Sequence, residues 1–141
     1  MANYKKILVP IDAFNRSKSA FNEAAAIARR YHAALIAIYV LPFSPLSYRN
    51  VRVAQETMYS EAKDTLSRIK ANAEKNGIAI QTKILKGHPG RLIANYANQK
   101  KNGIDLVVIG SRDLGGIREV LLGSVSNFVI HKCKVSILVV K

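Results

Sequence analysis

Five short apolar runs, KILVP, AALIAIYVL, IAIQTKIL, IDLVVIG and VSILVV, are spread along the sequence, with a helix-patterned stretch in each gap. No other feature narrows the fold as much. The second run is apolar at odd and even positions alike, so a strand formed there needs apolar cover on both faces. Strands that alternate with helices reach parallel neighbours through right-handed crossovers, which place helices on both sides of one sheet. The expected class is therefore α/β, with a five-stranded parallel sheet and helices on both faces. With 141 residues and no linker or internal repeat, the chain is expected to form one domain, residues 1–141.

The gaps supply the helices. Ala20, Phe21, Ala24, Ile27, Ala28 and Tyr31 make one helical stripe after a turn at residues 12–15. A Pro/Ser-rich loop at residues 42–50 leads to a long helix whose apolar positions are Val53, Met58, Ala62, Leu66 and Ile69. Asn76-Gly77 gives that helix its stop. A third helix is expected over residues 88–103, with Pro89 near its first turn and Gly103 beyond its end.

In open parallel sheets, ligands sit beyond the carboxyl ends of the strands, where the winding reverses. That rule selects residues 10–15, 40–47 and 110–126. The third stretch holds Gly110 at the end of the fourth strand, and Gly123, Ser124 and Ser126 where a final helix begins. Glycine lets a ligand approach the backbone closely, and a helix N-terminus presents free N–H groups to an anion. The two serines read equally as phosphate donors or as helix caps. Neither G-x-x-x-x-G-K-[ST] nor a G-x-G-x-x-G after the first strand is present, which argues against a P-loop ATPase and a dinucleotide dehydrogenase.

These residues resemble the universal stress protein family over essentially the whole length. KILVPID, AALIAIYVLP, GHP and above all DLVVIGSR…GGIREVLLGSVSNFVIHKCKVSILVV carry the resemblance. It implies a Rossmann-like sheet in the order 3-2-1-4-5 and binding of ATP or a related adenine nucleotide, with a divalent metal such as Mg accompanying it. By resemblance, Pro10, Ile11 and Asp12 lie near adenine and ribose, and Val40 meets the adenine through its backbone. Ile109 and Gly110 end the fourth strand at the site, with Arg112 and Asp113 following. Gly123, Ser124, Val125 and Ser126 form the phosphate turn. From its chemistry alone, the Asp12 carboxylate reads either as a ribose ligand or as a turn cap for the first helix.

Nucleotide-binding members follow G-x2-G-x9-G-[ST], and this chain has Gly110-x2-Asp113-x9-Gly123-Ser124. Asp113 puts a side chain and a negative charge where backbone should approach phosphate. At ~4–6 Å and an effective dielectric of 20, each charge pair would cost roughly 3–4 kcal/mol. Asp tolerates left-handed backbone better than most residues, and Arg112, Arg118 or a metal would offset the charge.

Other chemistry finds little support. His32, His88 and His131 stand on separate elements without Cys, Asp or Glu at metal-ligand spacing, so no zinc site is expected. The serines lack a G-x-S-x-G elbow, and no acid, base or nucleophile can be named, so enzymatic activity amounts at most to slow ATP hydrolysis. Cys133, the single cysteine, reads as a partly buried structural thiol in a reducing compartment. No apolar run approaches the roughly 20 residues that cross a bilayer, and no leader pattern opens the sequence, so a cytoplasmic protein without membrane association is expected.

The charge balance is unusual. Against 9 Asp+Glu stand 22 Lys+Arg, a net +13, yet no basic run reaches five. Nucleic-acid binding is expected to be weak and non-specific at most. The last strand, residues 135–140, falls at a sheet edge in the implied order, and an apolar edge is normally paired. A homodimer through it is expected. The functional expectation is a nucleotide-binding sensor or switch of the stress response, the alternative being a dimeric interaction protein that has lost nucleotide binding.

Overall fold

Alternate residues of the central strands enter two separate apolar cores. The computed structural model describes residues 3–12, 17–42, 48–111 and 123–141, with side chains of the helix beginning at residue 48 described from residue 52 on. The elements run β1 (Lys6–Ile11), α1 (Lys18–Tyr31), β2 (Ala34–Leu41), α2 (Tyr48–Lys75), β3 (Ile80–Lys86), α3 (Pro89–Asn98), β4 (Leu106–Gly110), α4 (Ser124–Lys132) and β5 (Ser136–Val140). A 3-10 turn, Lys100–Asn102, precedes β4. All pairings are parallel and the order is β3-β2-β1-β4-β5, as the resemblance implied.

One core takes Ile7, Val9 and Ile11 from β1, Leu35, Ala37 and Tyr39 from β2, and Val108 from β4. These pack on Ala20, Phe21 and Ala24 of α1 and Ala62 and Leu66 of α2. The other takes the opposite parity, Leu8, Ile36, Ile38, Val107 and Ile109, against Ile93 and Ala97 of α3 and Val129 of α4. This division explains why the strands are apolar at every position: each face has its own pair of helices. Cys133 is half-buried against the second core.

Three expectations need correction. The long helix begins at Tyr48, inside the stretch read as loop; residues 48–50 contain no Pro or Gly to stop it running back. Val53 and Met58, read as part of a buried stripe, are 65% and 37% exposed. Length is the reason. The 28 residues of α2 extend ~42 Å, whereas the eight residues of β2 cover about 26 Å. Only the C-terminal part of the helix, with Ala62, Leu66 and Ala73 buried, has sheet beneath it.

The third helix, expected to run through to Gly103, ends at Asn98. Gln99 is extended (φ −73°, ψ 117°), and Gly103, at φ 64°, closes the separate 3-10 turn. The Asn98 side chain accounts for the break. Its Nδ2 donates to the Lys132 carbonyl at 2.9 Å and its Oδ1 accepts from the Lys134 N–H at 2.7 Å, so it serves the α4–β5 connection.

Candidate functional site

Proline in a central strand sets where the sheet opens. Pro10 has no N–H to donate. The β1–β2 ladder continues through Pro10–Ile38 to Ile11–Tyr39, but the β1–β4 ladder stops at Leu8–Val107. Beyond that point β1 and β4 part, at the position where the crossovers switch from the α1/α2 face to the α3/α4 face. A cleft of about 250 Å³ lies there, close to the lower bound of small-molecule sites.

Ten of the twelve residues nominated from sequence line this cleft. Pro10, Ile11 and Asp12 come from the end of β1, Val40 from β2, and Ile109 and Gly110 from β4. Gly123, Ser124, Val125 and Ser126 come from the start of α4. The other two, Arg112 and Asp113, lie outside the described residues. Five further lining residues were not nominated: Ser17, Ile38, Pro89, Ile93 and Ser111. The sequence marks Ile38 as part of a strand covered on both faces, and nothing in it shows that Ile38 and Ile93 stand at the end of the core that meets the cleft. Pro89 could have been found, since a helix start beside a switch point faces the same crevice.

The apolar wall is the end of the second core, where Val40 is half-buried and Ile38 and Ile109, of the same parity, are buried beside it. Such a wall suits a flat heterocycle.

The polar side is built by α4. Its N-cap is Gly123 (φ −64°, ψ 164°), which has no side chain to cap the helix. Ser124 is thus the first helical residue, and its expected alternative role as N-cap is corrected. The first-turn N–H groups of a helix lack intrahelical acceptors. With no acidic residue in that turn, the positive end of the helix dipole stays uncompensated locally. Ser126 Oγ donates to the Gly110 carbonyl at 2.9 Å, which ties the turn to the end of β4. Its hydroxyl proton is committed to that bond, so it serves as a strut.

Gly90 lets α3 and α4 approach. A Cβ there would stand 2.9 Å from Phe128 Cβ, too close for any side chain. The His88 ring packs against Phe128 at a centroid distance of 5.4 Å, and its Nδ1 accepts from the Arg91 N–H at 3.1 Å. His88 is the N-cap of α3, which keeps Pro89 at the cleft.

The N-cap of α1 is Ser17 rather than Asp12, and the Asp12 N–H donates to Ser17 Oγ at 3.2 Å. Below the cleft, on the other face of the sheet, burial pushes the Tyr39 hydroxyl above its usual 10.0. The negative charges of Asp12 and Glu61 add to the shift. Asp12 is the one carboxylate lining the cleft among the described residues. A divalent cation there would therefore depend largely on phosphate oxygens for its ligands.

Fold and cleft together define an open parallel α/β protein with an anion-ready helix N-terminus facing an apolar wall at its switch point. The sequence profile of the universal stress protein family matches residues 3–141. The chain is 35% identical over 142 residues to universal stress protein MJ0531 of Methanocaldococcus jannaschii, covering 98% of this chain and 82% of that one. The structure is similar to that of universal stress protein UspA from Lactobacillus plantarum, with TM-score 0.87, 28% identity and full coverage of both chains. It also resembles a universal stress protein solved in complex with cAMP, at TM-score 0.76 and 25% identity over 99% of each chain. The chain belongs to the universal stress protein family. No helix among the described residues is long and apolar enough to cross a membrane.

Proposed function

We propose that the protein binds an adenine nucleotide in this cleft and acts as a sensor or switch in a stress response, with ATP, accompanied by Mg, as the first ligand to test. The observation that carries the reading is the convergence of an apolar wall, the Asp12 carboxylate and an uncapped helix N-terminus on one cleft. The base would lie against Val40 and the end of β4 at Ile109, the ribose hydroxyls near Asp12, and the phosphates at the first turn of α4. The structural relative solved with cAMP supports an adenine ligand. The cytoplasm is the proposed compartment, and residues 1–141 the proposed single domain. Attraction of nucleic acid by the +13 charge would be weak, sequence-independent and screened by salt.

Asp113 favours a second reading, in which a dimeric interaction protein has lost nucleotide binding. Calorimetry with ATP on the wild type and Asp113→Gly separates the two. A sensor hindered by Asp113 binds weakly, and the variant at least about tenfold tighter, a gain of ~1.4 kcal/mol. If neither binds any adenine nucleotide, the interaction reading replaces the first.

A further inference from the structure

A parallel sheet gathers the starts of its strands at one end, here the end opposite the cleft. Four neighbouring strands are entered there through short basic groups. Arg29 and Arg30 close α1 just before β2, and Lys5 and Lys6 open β1. Lys100 and Lys101 stand in the turn before β4, and Lys132 and Lys134 precede β5. Backbone bonds set these groups side by side. The Lys5 carbonyl accepts from the Ala34 N–H at 2.9 Å, beside the end of α1. The Lys6 carbonyl accepts from the Asp105 N–H at 2.9 Å, next to the turn that holds Lys100 and Lys101. Asn98 then joins that turn to Lys132 and Lys134. Along β2-β1-β4-β5 the groups form a row across three strand spacings, about 14 Å.

Compensation of helix ends does not account for this row. The carboxyl end of a helix carries about half a negative charge, whereas α1 alone brings two arginines to its last turn. The acid inside the row, Asp105, is occupied by the backbone: its Oδ2 accepts the Lys5 and Lys6 N–H groups at 2.7 and 2.9 Å. None of the basic side chains has an ion-pair partner among the described residues, and all but Lys6 are exposed.

The row also holds an aromatic pair. Tyr31, 38% exposed, follows Arg30, and its ring meets that of Tyr4 edge-on at a centroid distance of 5.4 Å. Basic residues in a row attract a polyanion, and an exposed ring among them suits one with bases free to stack. A lipid surface calls instead for an apolar face that enters it, and a duplex keeps its base faces stacked inside. We propose that this end of the molecule binds single-stranded nucleic acid, RNA or DNA, with phosphates along the basic row and a base stacked on Tyr31. The row matches roughly four stacked nucleotides at ~3.4 Å of rise each. Binding through phosphates and a base face is sequence-independent and screened by salt. It uses the end of the sheet away from the cleft, so it stands apart from the nucleotide reading above.

Fluorescence anisotropy with labelled oligo(U) and oligo(dT) of about 12 nucleotides, and with a duplex of equal length, tests this over a salt series. For the wild type, log affinity for the single strands should fall against log salt with a slope of about −3, from ~0.7 per phosphate and roughly four contacts. Lys100→Ala/Lys101→Ala should weaken binding and cut that slope by roughly 1.4. Tyr31→Ala should bind about tenfold more weakly at an unchanged slope, and Lys83→Ala/Lys86→Ala, an equal loss of charge on β3, should bind as the wild type does. Circular dichroism checks that each variant is folded. Whichever of RNA and DNA binds more tightly is the source the surface favours. Equal weakening in the two double variants would trace the attraction to net charge and overturn the site. Duplex bound as tightly as single strand, or Tyr31→Ala bound as tightly as wild type, overturns the single-strand assignment. So does capture by phosphatidylserine vesicles at a salt concentration that releases both oligonucleotides, and so does a wild type that binds neither at low salt.

Discussion

Tyr39 shows how the cleft reaches through the sheet. Its ring is in the α1/α2 core, while Asp12 and Glu61 hold negative charge near its hydroxyl; with burial as the larger cause, the phenol keeps its proton to higher pH when folded. Above pH 10.0 the unfolded chain loses a proton that the folded chain retains, so stability is fully present below that pH and declines above it. Urea unfolding between pH 8 and about 11 should show the wild type losing stability more steeply than Tyr39→Phe; parallel curves would remove Tyr39 from the account. Single residues were unevenly legible in the sequence. Those beside strand ends, such as Asp12 and Gly110, could be nominated because the switch-point rule works on chain position. Ser17 and Ser111 could not, because what sets them apart is burial at the cleft, which only tertiary structure creates.

The elements were legible where both parities were apolar and less so where an ending depended on a distant partner. Asn98 is the clearest case, since it stops α3 by bonding to residues 34 and 36 positions away. Nothing in the local sequence marks Asn98 as an end, and the pattern favoured a helix running on to Gly103. The two bonds also anchor the exit of α4, the helix whose first turn forms the polar side of the cleft. Asn98→Ala is expected to destabilise the fold by about 1–3 kcal/mol, read as a lower urea midpoint at unchanged slope. Hydrogen exchange should quicken in α4 before the central strands, because the lost bonds hold the end of that helix to α3. The exposure of Val53 teaches the same lesson from the other side. Helical period identifies a stripe, but the length of sheet beneath the helix decides how much of it is buried.

At the scale of the molecule, the sheet has two kinds of edge. On β3, Lys83 and Lys86 are exposed, charges of the sort that discourage pairing with another strand. β5 carries SILVV, and no strand among the described residues pairs with its outer side. Its side chains divide by parity. Ile137 and Val139 pack on the α3/α4 core, whereas Leu138, 37% exposed, belongs to the opposite face. An apolar edge strand with open backbone donors and acceptors is a template for a second copy, and two-fold pairing closes it without leaving a further edge. A homodimer through β5 is therefore expected, its strands antiparallel. Leu138→Lys is the sharper probe, because a charge at Ile137 would disturb the core as well as the edge. Light scattering should give the wild type twice the chain mass at micromolar concentration and shift Leu138→Lys toward monomer, with its circular dichroism unchanged. A wild-type monomer would remove the dimer, while a dimer that Leu138→Lys leaves intact would move the interface off β5. Either result leaves the cleft untouched, since β5 contributes none of its described lining residues.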